Sequence, residues 1–528
     1  MPPPDLLQIE FGTLADLVHL HATEAPERPA LIEGLRTLTY GELDTQMNRV
    51  ASALHRDGLK PGDTIAICAA MSIAYACVFL GALRAGVVVA PLAPGSTPDG
   101  LARMVVDAQA KLVFVDAASS AQMDLMDAGG LGDVGAKTCQ IVRNLVRVAI
   151  DESPAAGAPL GQWLRGAGDQ PAPVTVEPHW AFNIIYSSGT TGEPKGIVQS
   201  HGMRWTHVRR GGAYSYGSDT VTLLSTPLYS NTTLVVFLPT LAYGGTAVLM
   251  PKFDAEAYLQ LAQTHKATHT MLVPVQYQRL MARPDFDAFD LSSFRYKFST
   301  SAPFGAALKA DVLKRWPGGL IEFYGMTEGG GTCILEAHLN PTKLHTVGRP
   351  AEGHDIRLVN DQGEVQPLGE AGEVVGHSPG MMTGYHGQPD KTREAEWFDA
   401  TGKRFIRTGD IGRFDSDGFL TLFDRKKDMI ISGGFNVYPS DLEAVLREHP
   451  SVLETAVVGV PSTQWGETPV AFAVLRQGQA ASVEALMAWV NQRVGKTQRV
   501  AALHLLDELP RSAIGKVLKR ELRARYMP

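Results

Sequence analysis

The stretch from Thr64 to Leu92, TIAICAAMSIAYACVFLGALRAGVVVAPL, contains two short apolar runs on either side of a longer one that follows Ser72. No charged residue occurs before Arg84, over about the length of a membrane span. The stretch is nevertheless rich in Ala, Cys and Ser rather than in Leu and Ile. The pattern therefore favours a buried strand, a helix that starts at Ser72 and a second buried strand over a membrane helix.

Short runs rich in β-branched residues alternate with helix-like segments through the first two thirds of the chain. The runs that predict strands are TIAIC, GVVVAPL, KLVFVD, FNIIYSS, VTLLSTPL, TAVLM, HTMLVP, RYKFSTSAP and LIEFYG. This alternation predicts parallel sheets covered by helices, with ligands bound where strands end. The interval from Ala117 to Pro173 is weakly patterned, and we predict a variable surface segment there.

The pattern of predicted strands and turns changes after about Ala351. Short alternating strands with glycine-containing turns predict an antiparallel subdomain, and the last hundred or so residues predict a small α+β domain. We therefore predict an α/β fold with a large N-terminal domain of βαβ sheets and an antiparallel β subdomain over residues 1–424. A hinge over 425–428, in the polar segment DRKKD, would lead to a small, mobile α+β C-terminal domain over 429–528.

Composition narrows the function classes. A chain of 528 residues can form more than one core, and a net charge of −7 argues against a nucleic-acid partner. The N-terminus lacks the pattern of a secretory signal. The cysteines Cys68, Cys77, Cys139 and Cys333 have no metal-ligand spacing, which favours a reducing, cytoplasmic setting.

The segment IIYSSGTTGEPKGIVQSH, from Ile184 to His201, places a loop of glycines and hydroxyl residues between two apolar runs. Glycines let successive backbone N–H groups approach an anion, and hydroxyls and a lysine add donors. The spacing differs from the Walker pattern, which disfavours a hydrolase or kinase of that class; a plain Gly-Ser turn is the ordinary alternative. The candidate phosphate-binding residues are Ser187, Ser188, Gly189, Thr190, Thr191, Gly192 and Lys195.

Four further motifs follow this loop in order: EFYGMTE (322–328), RTGD (407–410), DRKKDMIISGGFNVYP (424–439) and PRSAIGKVLKREL (510–522). With them, nearly the whole chain closely resembles the adenylate-forming superfamily, which includes acyl-CoA and aryl-CoA synthetases, adenylation domains and firefly luciferase. The resemblance implies that a carboxylic acid attacks the α-phosphate of ATP and releases pyrophosphate, and that a thiol then displaces AMP. It also implies Mg²⁺ and, as the acceptor, coenzyme A.

The resemblance assigns roles residue by residue. Glu328 matches the carboxylate that positions Mg²⁺, Thr327 the residue that bonds the α-phosphate and Tyr324 the aromatic that stacks on adenine. Asp410 matches the acceptor of hydrogen bonds from the ribose hydroxyls, and Arg425 a second contact on the ribose side. Without the resemblance, Glu328 would be a helix N-terminal acid and Tyr324 a core aromatic. Asp410 would be a turn residue and Arg425 a solvated charge.

Lys516 matches the lysine that contacts the carboxylate and α-phosphate during adenylation, and Lys195 lies in the loop that would clamp the departing β- and γ-phosphates. An exposed C-terminal lysine would otherwise be inert. We expect the nearby Lys519 and Arg520 to cover a surface helix. The remaining residues implied to bind the nucleotide are Ser301, Ala302, Pro303, Glu322, Phe323 and Gly325.

Three residues are implied to serve the second half-reaction. Lys427 matches the hinge residue about which the small C-terminal domain rotates between its adenylation and thioester-forming poses. Gly433 and Gly434 would leave room for a pantetheine arm, and a plain turn is the alternative.

Departures from the family pattern concentrate around the acyl pocket. Many relatives carry a histidine after the aromatic residue matched by Tyr229, and here Ser230 occupies that position. The predicted pocket residues are Tyr229, Ser230, Asn231, Thr232, Ser301, Ala302, Gly329 and Gly330. Small and polar side chains dominate, with no obvious basic partner for a second carboxylate, so we favour an aromatic, cyclic or short-to-medium acyl acid.

Three functions stay open at this point. The first is an ATP-dependent acid–CoA ligase acting on a small-molecule carboxylic acid. The second is a stand-alone adenylation enzyme that loads the phosphopantetheine of a carrier protein. The third, from another class, is a catalytically dead nucleotide-binding interaction protein, which the joint presence of Lys195, Glu328, Asp410 and Lys516 disfavours. A homodimer is compatible with all three, and we expect no membrane span.

Overall fold

The computed structural model describes residues 7–125, 136–187, 194–432, 435–512 and 515–526. The chain divides into two compact units. The larger unit comprises the residues up to 344, 351–354 and 377–396, and the smaller unit comprises 345–350, 355–376 and the residues from 397 onward. The boundary at residue 424 remains a prediction.

The described residues form sixteen α-helices and twenty-seven strands, with short 3₁₀ turns between them. The helices are α1 (Leu14–Glu24), α2 (Tyr40–Arg56), α3 (Ile73–Arg84), α4 (Pro98–Asp107), α5 (Ala117–Asp124), α6 (Ala136–Asn144), α7 (Leu160–Trp163), α8 (His201–Arg210), α9 (Asn231–Ala242), α10 (Ala255–Thr264), α11 (Pro274–Met281), α12 (Ala306–Arg315), α13 (Pro389–Glu394), α14 (Pro439–Arg447), α15 (Val483–Asn491) and α16 (Lys519–Tyr526).

The strands are β1 (Pro29–Glu33), β2 (Arg36–Thr39), β3 (Thr64–Cys68), β4 (Val88–Leu92), β5 (Ala110–Val115), β6 (Val146–Ala149), β7 (Ala158–Pro159), β8 (Ala181–Ser187), β9 (Lys195–Ser200), β10 (Val221–Leu224), β11 (Thr246–Leu249), β12 (His269–Leu272), β13 (Tyr296–Ser299), β14 (Gly319–Gly325), β15 (Thr332–Glu336), β16 (Arg349–Pro350), β17 (Asp355–Val359), β18 (Ala371–His377), β19 (Gly384–Tyr385), β20 (Glu396–Phe398), β21 (Arg404–Phe414), β22 (Leu420–Arg425), β23 (Ile430–Ser432), β24 (Phe435–Val437), β25 (Val452–Ser462), β26 (Gly466–Leu475) and β27 (Ala502–Leu505).

Two mostly parallel sheets build the larger unit. One runs in the order β15–β14–β13–β12–β10–β11–β1–β2, parallel from β14 to β1, with β15 and β2 antiparallel at its ends. The other runs in the order β19–β9–β8–β4–β3–β5–β6–β7, parallel from β8 to β7, with β9 and β19 added antiparallel. The predicted α/β fold class is confirmed, although the edges are antiparallel.

The strand–helix–strand unit predicted from Thr64 to Leu92 is present as β3, α3 and β4. Every residue of β3 is buried, and Ser72 caps α3 by accepting a hydrogen bond from the backbone N–H of Tyr75 at 3.1 Å. Arg84 ends the helix and pairs with Asp44 of α2 at 2.7 Å. In the described part of the chain, no helix is both long and apolar enough to cross a membrane.

The interval from Ala117 to Pro173 is not simply a surface segment, so that prediction is wrong. It contributes β6 and β7 to the second sheet, and Val148 is fully buried. Trp163 packs edge-on against Phe114 with ring centroids 5.1 Å apart, and its indole N–H donates to Asp57 Oδ2 at 2.7 Å. The strands here are short and the apolar residues sparse, which hid them from a reading based on periodicity.

The smaller unit contains an antiparallel sheet, in which β18, β21 and β22 pair, and a second sheet of β24–β23–β26–β25 with β27 beside β26. One face of the β25–β26 pair packs against α14 and α15 through Leu442, Leu446 and Val490. The other face packs against α16 through Leu522. The predicted antiparallel and α+β elements are therefore confirmed.

Candidate functional site

The predicted phosphate loop joins two paired strands. Strands β8 and β9 are antiparallel, and Ser187 at the end of β8 lies opposite Lys195 at the start of β9. The loop residues Ser188, Gly189, Thr190, Thr191 and Gly192 lie outside the described residues. The two flanks of the predicted loop are thus adjacent, as a loop that wraps around an anion requires.

Polar side chains support both flanks of this loop. The Tyr186 hydroxyl donates to Asp107 Oδ2 at 2.6 Å, and burial together with this carboxylate raises the pKa of Tyr186. Gln388 Nε2 donates to the backbone carbonyl of Pro194 at 3.1 Å. The ends of β8 and β9 are therefore fixed by side chains from α4 and from the segment before α13.

A carboxylate, an aromatic ring and a lysine come together beside this hairpin. Glu328 lies in a turn after β14 rather than at a helix start, and its Oε1 accepts a hydrogen bond from the Tyr385 hydroxyl at 2.9 Å. Lys195 Nζ is 5.4 Å from the centroid of the Tyr385 ring. Burial and the negative charge of Glu328 raise the pKa of Tyr385, so the phenol stays a donor to this carboxylate.

The turn that carries Thr327 and Glu328 is held through its backbone. Gln199 Nε2 donates to the Thr327 carbonyl at 2.7 Å, and the Met382 N–H donates to the Glu328 carbonyl at 2.8 Å. The Ser378 hydroxyl donates to the Gly329 carbonyl at 2.7 Å. Contacts to three consecutive carbonyls leave the side chains of Thr327 and Glu328 available for chemistry.

Gly329 is a position that only glycine fits. Its φ is +72°, and a Cβ built on it would lie 2.0 Å from the carbonyl oxygen of Gly380. Both the left-handed backbone and the close approach exclude larger residues. Gly330 beside it is buried.

The donor set around Glu328 fits a magnesium ion. Within the described ranges, no three His, Cys, Asp or Glu residues are grouped closely enough to hold a metal by themselves. Mg²⁺ is usually held by one or two carboxylates plus substrate phosphates and water. In the part of the chain that the structure describes, Glu328 Oε2 accepts no hydrogen bond, so one hard oxygen donor remains for such an ion.

The other motif residues of β14 divide between the interior and the carboxyl end of the strand. Phe323 stacks on Phe298 at 5.6 Å between centroids. Glu322 is 4% exposed and forms an ion pair with Lys309, and burial raises its pKa to about 7. These two side chains pack inside the unit, whereas Tyr324 is half-buried and Gly325 exposed where the strand ends.

Several of the predicted acyl-pocket residues lie around the start of α9. Ser230 is buried and caps the helix, since its Oγ accepts a hydrogen bond from the Thr232 N–H at 3.2 Å. Thr232 Oγ1 lies 2.7 Å from Ser301 Oγ, and Ser301 has a φ of +79° at the start of a loop that continues through Ala302 and Pro303. Tyr229 is half-buried, and burial raises its pKa to about 12.

A buried arginine contacts this region. Arg204 of α8 is 2% exposed, and one of its terminal nitrogens donates to Asn231 Oδ1 at 2.8 Å. Its Nε and its other terminal nitrogen both donate to Asn183 Oδ1 at 3.1 Å. Burial lowers the pKa of Arg204 to about 9. No carboxylate within the described residues forms an ion pair with it.

In the smaller unit, Asp410 and Arg425 face each other across two strands. Asp410 lies within β21 and pairs in register with Arg425 of β22, and its Oδ1 is 2.8 Å from Arg425 Nε. The side chain of Asp410 is 15% exposed and that of Arg425 is 41% exposed. The turn expected at Asp410 as the ordinary alternative is therefore absent.

Lys516 lies on a short hairpin before α16. The Ser512 N–H donates to the Lys516 carbonyl at 2.8 Å, and Arg511 donates to the Gly515 carbonyl and to Glu454 of β25, both at 2.7 Å. The side chain of Lys516 is exposed to solvent, yet the surrounding protein displaces much of the water around its ammonium.

Desolvation and neighbouring charges together explain the lowered pKa of Lys516. Its pKa is lowered to about 8, first by this desolvation and then by the positive charges of Arg425 and Lys427, while Asp410 and Asp428 oppose the shift. Geometry and electrostatics in the smaller unit therefore link Lys516 to the predicted ribose-side residues.

The remaining predictions for this unit have mixed outcomes. Lys427 is exposed in the turn after β22, and desolvation lowers its pKa. Gly433 and Gly434 lie outside the described residues. Lys519 does not simply cover a surface helix, because its side chain is 18% exposed and lies 3.0 Å from Glu443 and 3.8 Å from Asp424. That prediction is wrong since two acids from other elements converge on Lys519.

Two family models match the chain. The AMP-binding enzyme model matches residues 18–386, and the AMP-binding enzyme C-terminal domain model matches residues 441–516. The chain belongs to the AMP-binding enzyme family. The predicted superfamily is thereby confirmed, and with it the prediction of an adenylate-forming enzyme.

Named relatives of this AMP-binding enzyme include a feruloyl-CoA synthase from Amycolatopsis sp, 33% identical over 513 residues that cover 96% of this chain and 97% of the relative. An indoleacetate–CoA ligase from Aromatoleum aromaticum is 31% identical over 524 residues, covering 97% of each chain. The ATP-bound structure of MatB from Rhodopseudomonas palustris superposes with a TM-score of 0.85 at 28% identity, covering 97% of this chain and 99% of that one.

Several residues of the AMP-binding enzyme site were missed from the sequence. Tyr385, Gln388 and Gln199 come from elements whose proximity depends on sheet pairing, and no local pattern marks them. Arg204, in the segment HGMRWTHVRR, stands among other basic residues and resembles a solvated helix charge. A signal for Arg204 was nevertheless present, because its neighbours Met203 and Trp205 are apolar and are buried in the structure.

Proposed function

We propose that this AMP-binding enzyme is an ATP-dependent carboxylic acid–CoA ligase. In the first half-reaction, a carboxylate oxygen forms a bond to the α-phosphorus of ATP while the bond to pyrophosphate breaks, which gives an acyl-adenylate. In the second, the sulfur of coenzyme A forms a thioester as the acyl–phosphate bond breaks, AMP leaves and the thiol proton passes to solvent. The observation that carries this proposal is the grouping of Lys195, Tyr385 and Glu328 in the structure of a family member.

Charge explains why these groups suit the first step. A carboxylate and a triphosphate repel each other, so cationic groups that are already in place should supply much of the catalysis. Lys195 would bind the phosphates that leave, and Lys516 would neutralise the carboxylate and α-phosphate as they approach. Glu328 would hold Mg²⁺, which supplies further positive charge to the phosphate oxygens when bound.

The groups on the smaller unit support nucleotide binding. Asp410 is part of an ion pair with Arg425, which fixes its carboxylate within β21. A carboxylate held in this way can accept two hydrogen bonds from a ribose diol. We propose that Lys427 is the hinge between 1–424 and 429–528, and that Gly433 and Gly434 border the pantetheine path after rotation of the C-terminal domain.

The residues around α9 support a compact acid. The hydroxyls of Thr232 and Ser301 are hydrogen-bonded to each other, and Ser230 is committed to capping the helix. The two relatives described above, a feruloyl-CoA synthase and an indoleacetate–CoA ligase, are named after aromatic acids. We therefore propose an aromatic or cyclic acid, with a short-to-medium acyl acid as the next candidate.

A panel of carboxylic acids tests this proposal. Each acid is incubated with the enzyme, ATP, Mg²⁺ and coenzyme A, and pyrophosphate and AMP are measured. We expect release that depends on both the acid and the enzyme, strongest for an aromatic acid. If no acid in a broad panel releases pyrophosphate, the ligase assignment is wrong.

A second comparison identifies the acceptor. With the best acid, AMP release is measured with coenzyme A and, separately, with a phosphopantetheinylated carrier protein. The named relatives above are both CoA ligases, so we expect the greater rate with coenzyme A. A greater rate with the carrier would replace the CoA assignment by the carrier-loading one.

A further inference from the structure

The surroundings of Arg204 are unusual for a buried arginine. Its hydrogen-bond partners are the neutral side chains of Asn183, Gln199 and Asn231, and no acid within the described residues pairs with it. Its guanidinium carbon also lies 5.6 Å from the centroid of the Phe182 ring, which is a neutral contact as well. A buried charge without a counter-charge is costly, and well-packed apolar residues in such a place are often as stable or more stable. Fold stability alone therefore does not account for an arginine here.

Arg84 provides the contrast within the same unit. It is also largely buried, with a side chain 12% exposed, but it pairs with the Asp44 carboxylate at 2.7 Å. It also donates to Asn48 Oδ1 at 2.8 Å and to the carbonyl of Ala15 at 3.0 Å. Arg84 is a charge-compensated structural arginine that joins α1, α2 and α3, whereas Arg204 lacks such compensation.

The partners of Arg204 connect it to two places, the start of α9 and the turn at Thr327. One terminal nitrogen donates to Asn231 Oδ1 at 2.8 Å, at the start of α9 among the predicted acyl-pocket residues. The other terminal nitrogen donates to Gln199 Oε1, and Gln199 Nε2 donates in turn to the Thr327 carbonyl at 2.7 Å. Asn183 joins the two sides, because its Nδ2 also donates to Gln199 Oε1 at 3.2 Å.

These contacts fix which end of each amide is used. Because Arg204 has donors only, the oxygens of Asn231 and Gln199 must face it. The Nε2 of Gln199 is thereby directed to the Thr327 carbonyl. The Nδ2 of Asn231 forms no hydrogen bond within the described residues, so it remains a donor for a ligand.

We propose that Arg204 is a positioning residue that couples the acyl pocket to the phosphate-binding turn, by holding Asn231 for the acid and Gln199 for Thr327. The inference rests on the proposed function and names its acid more closely. An acid with an oxygen acceptor outside its carboxyl group can accept a hydrogen bond from the free N–H₂ of Asn231. An acid without such an oxygen leaves that donor unpaired.

Two nearly isosteric variants test separately the connection to Thr327 and the connection to the acyl pocket. Gln199→Glu keeps an acceptor for Arg204 and Asn183 but replaces the donor to the Thr327 carbonyl with a carboxylate. Asn231→Asp keeps the acceptor for Arg204 but removes the free N–H₂. Both carboxylates can pair with Arg204, so a role in stability alone predicts a melting temperature that is unchanged or raised and activity that is retained.

The measurements are the melting temperature and, from acid-dependent pyrophosphate release, kcat with separate KM values for acid and ATP. For Gln199→Glu we expect a lower kcat without a fall in melting temperature. For Asn231→Asp we expect a higher KM for acids that have an oxygen acceptor outside the carboxyl group. The KM should change little for matched acids that lack this oxygen. Arg204→Met should lower kcat by about 100-fold, the size of effect that a misplacement of about 1 Å can cause.

A double variant tests the coupling. If Arg204 acts on the acid through Asn231, adding Asn231→Asp to Arg204→Met should raise the KM for the acid little further. Arg84→Met is the matched control, because it also removes a buried guanidinium. We expect it to lower the melting temperature and to leave the kcat of the folded enzyme unchanged.

Distinct results would overturn the inference and the proposed function. Wild-type values of kcat and KM in Gln199→Glu, Asn231→Asp and folded Arg204→Met, with active wild-type enzyme, would overturn the inference alone. So would fully additive effects in the double variant. Failure of the wild-type enzyme to release pyrophosphate with any acid would overturn the proposed function instead.

Discussion

In the larger unit the charged groups of the candidate site are separated by neutral ones, whereas in the smaller unit they are crowded together. Lys195 and Glu328 contact the same Tyr385, one over its ring and the other at its hydroxyl. Around Lys516, by contrast, desolvation first and then the like charges of Arg425 and Lys427 lower the lysine pKa to about 8. The two halves therefore differ in how much their electrostatics depends on pH.

This difference bears on how each half can serve a reaction between anions. Desolvation and like charges lower the pKa of Lys516 in the free enzyme, and an anion that binds there supplies the missing partner, so the favourable interaction of the ammonium increases on binding. The carboxylate in the larger unit instead needs a fixed place, which Tyr385 and the turn backbone provide. We expect Lys516 to contribute through charge and Glu328 through position and ligation.

The largest expected effect comes from removing the Lys516 charge. Lys516→Ala should lower acid-dependent pyrophosphate release by about 100- to 1,000-fold, as the loss of one group that stabilises transition-state charge does elsewhere. Thioester formation from a supplied acyl-adenylate should change little. Arg525→Ala, at an exposed position of α16, is the control. Unchanged pyrophosphate release in Lys516→Ala would show that the smaller unit does not supply the catalytic charge.

The next effect tests the larger unit. Glu328→Gln keeps the size of the side chain and an oxygen for the Tyr385 hydroxyl but removes the negative charge. Since a hydrogen bond or ligand contact to a charged group contributes about 1.5–3 kcal/mol, we expect kcat to fall about 10- to 100-fold. The Mg²⁺ concentration that gives half-maximal rate should rise. A lower rate with an unchanged Mg²⁺ requirement would remove ligation from the role of Glu328.

A pH profile sharpens the comparison. If the charged form of Lys516 is required, kcat/KM for ATP should fall as pH rises through about 8, because this parameter reports the pKa of the free enzyme. Asp410 raises the pKa of Lys516, so Asp410→Asn should move this fall to lower pH and raise the KM for ATP. Lys516→Arg should move it to higher pH. If neither substitution shifts the pH profile, Lys516 is not the titrating group.

The smallest expected effect concerns the neutral group of the larger unit. Tyr385→Phe keeps the ring near Lys195 but removes the hydrogen bond to Glu328. A hydrogen bond to a carboxylate contributes about 1.5–3 kcal/mol, but water can replace much of it here, so kcat should fall only about two- to tenfold. Tyr385→Leu, which also removes the ring, should lower kcat further. Equal losses in the two variants would show that the ring contact with Lys195 contributes nothing.

Sequence patterns predicted most strands of the larger unit because buried parallel strands form continuous apolar runs. The strand TIAIC, predicted at Thr64–Cys68, is present with those bounds. The same reasoning failed for β6 and β7, whose few apolar residues are spread over an interval rich in alanine and glycine. Burial there depends on partners that periodicity does not reveal.

The candidate site was predicted to the extent that its residues lie in contiguous motifs. Glu328, Asp410 and Lys516 could be proposed as site residues because each stands in a short segment typical of the family. Tyr385 and Arg204 were missed since their importance comes from contacts between distant segments. Ser230 was noted as a departure, and only the structure shows that it caps α9.

The close approach of Gly329 to Gly380 limits how the acyl pocket can be redesigned. A library that varies position 329 would mostly yield misfolded proteins, because any side chain meets the Gly380 carbonyl at once. Thr232 at the start of α9 and Ser301 in the loop after β13, whose hydroxyls are hydrogen-bonded to each other, can be exchanged as a pair without touching that backbone contact. Efforts to change the preferred acid should therefore begin with this pair, and variants at 329 should be left out of the screen.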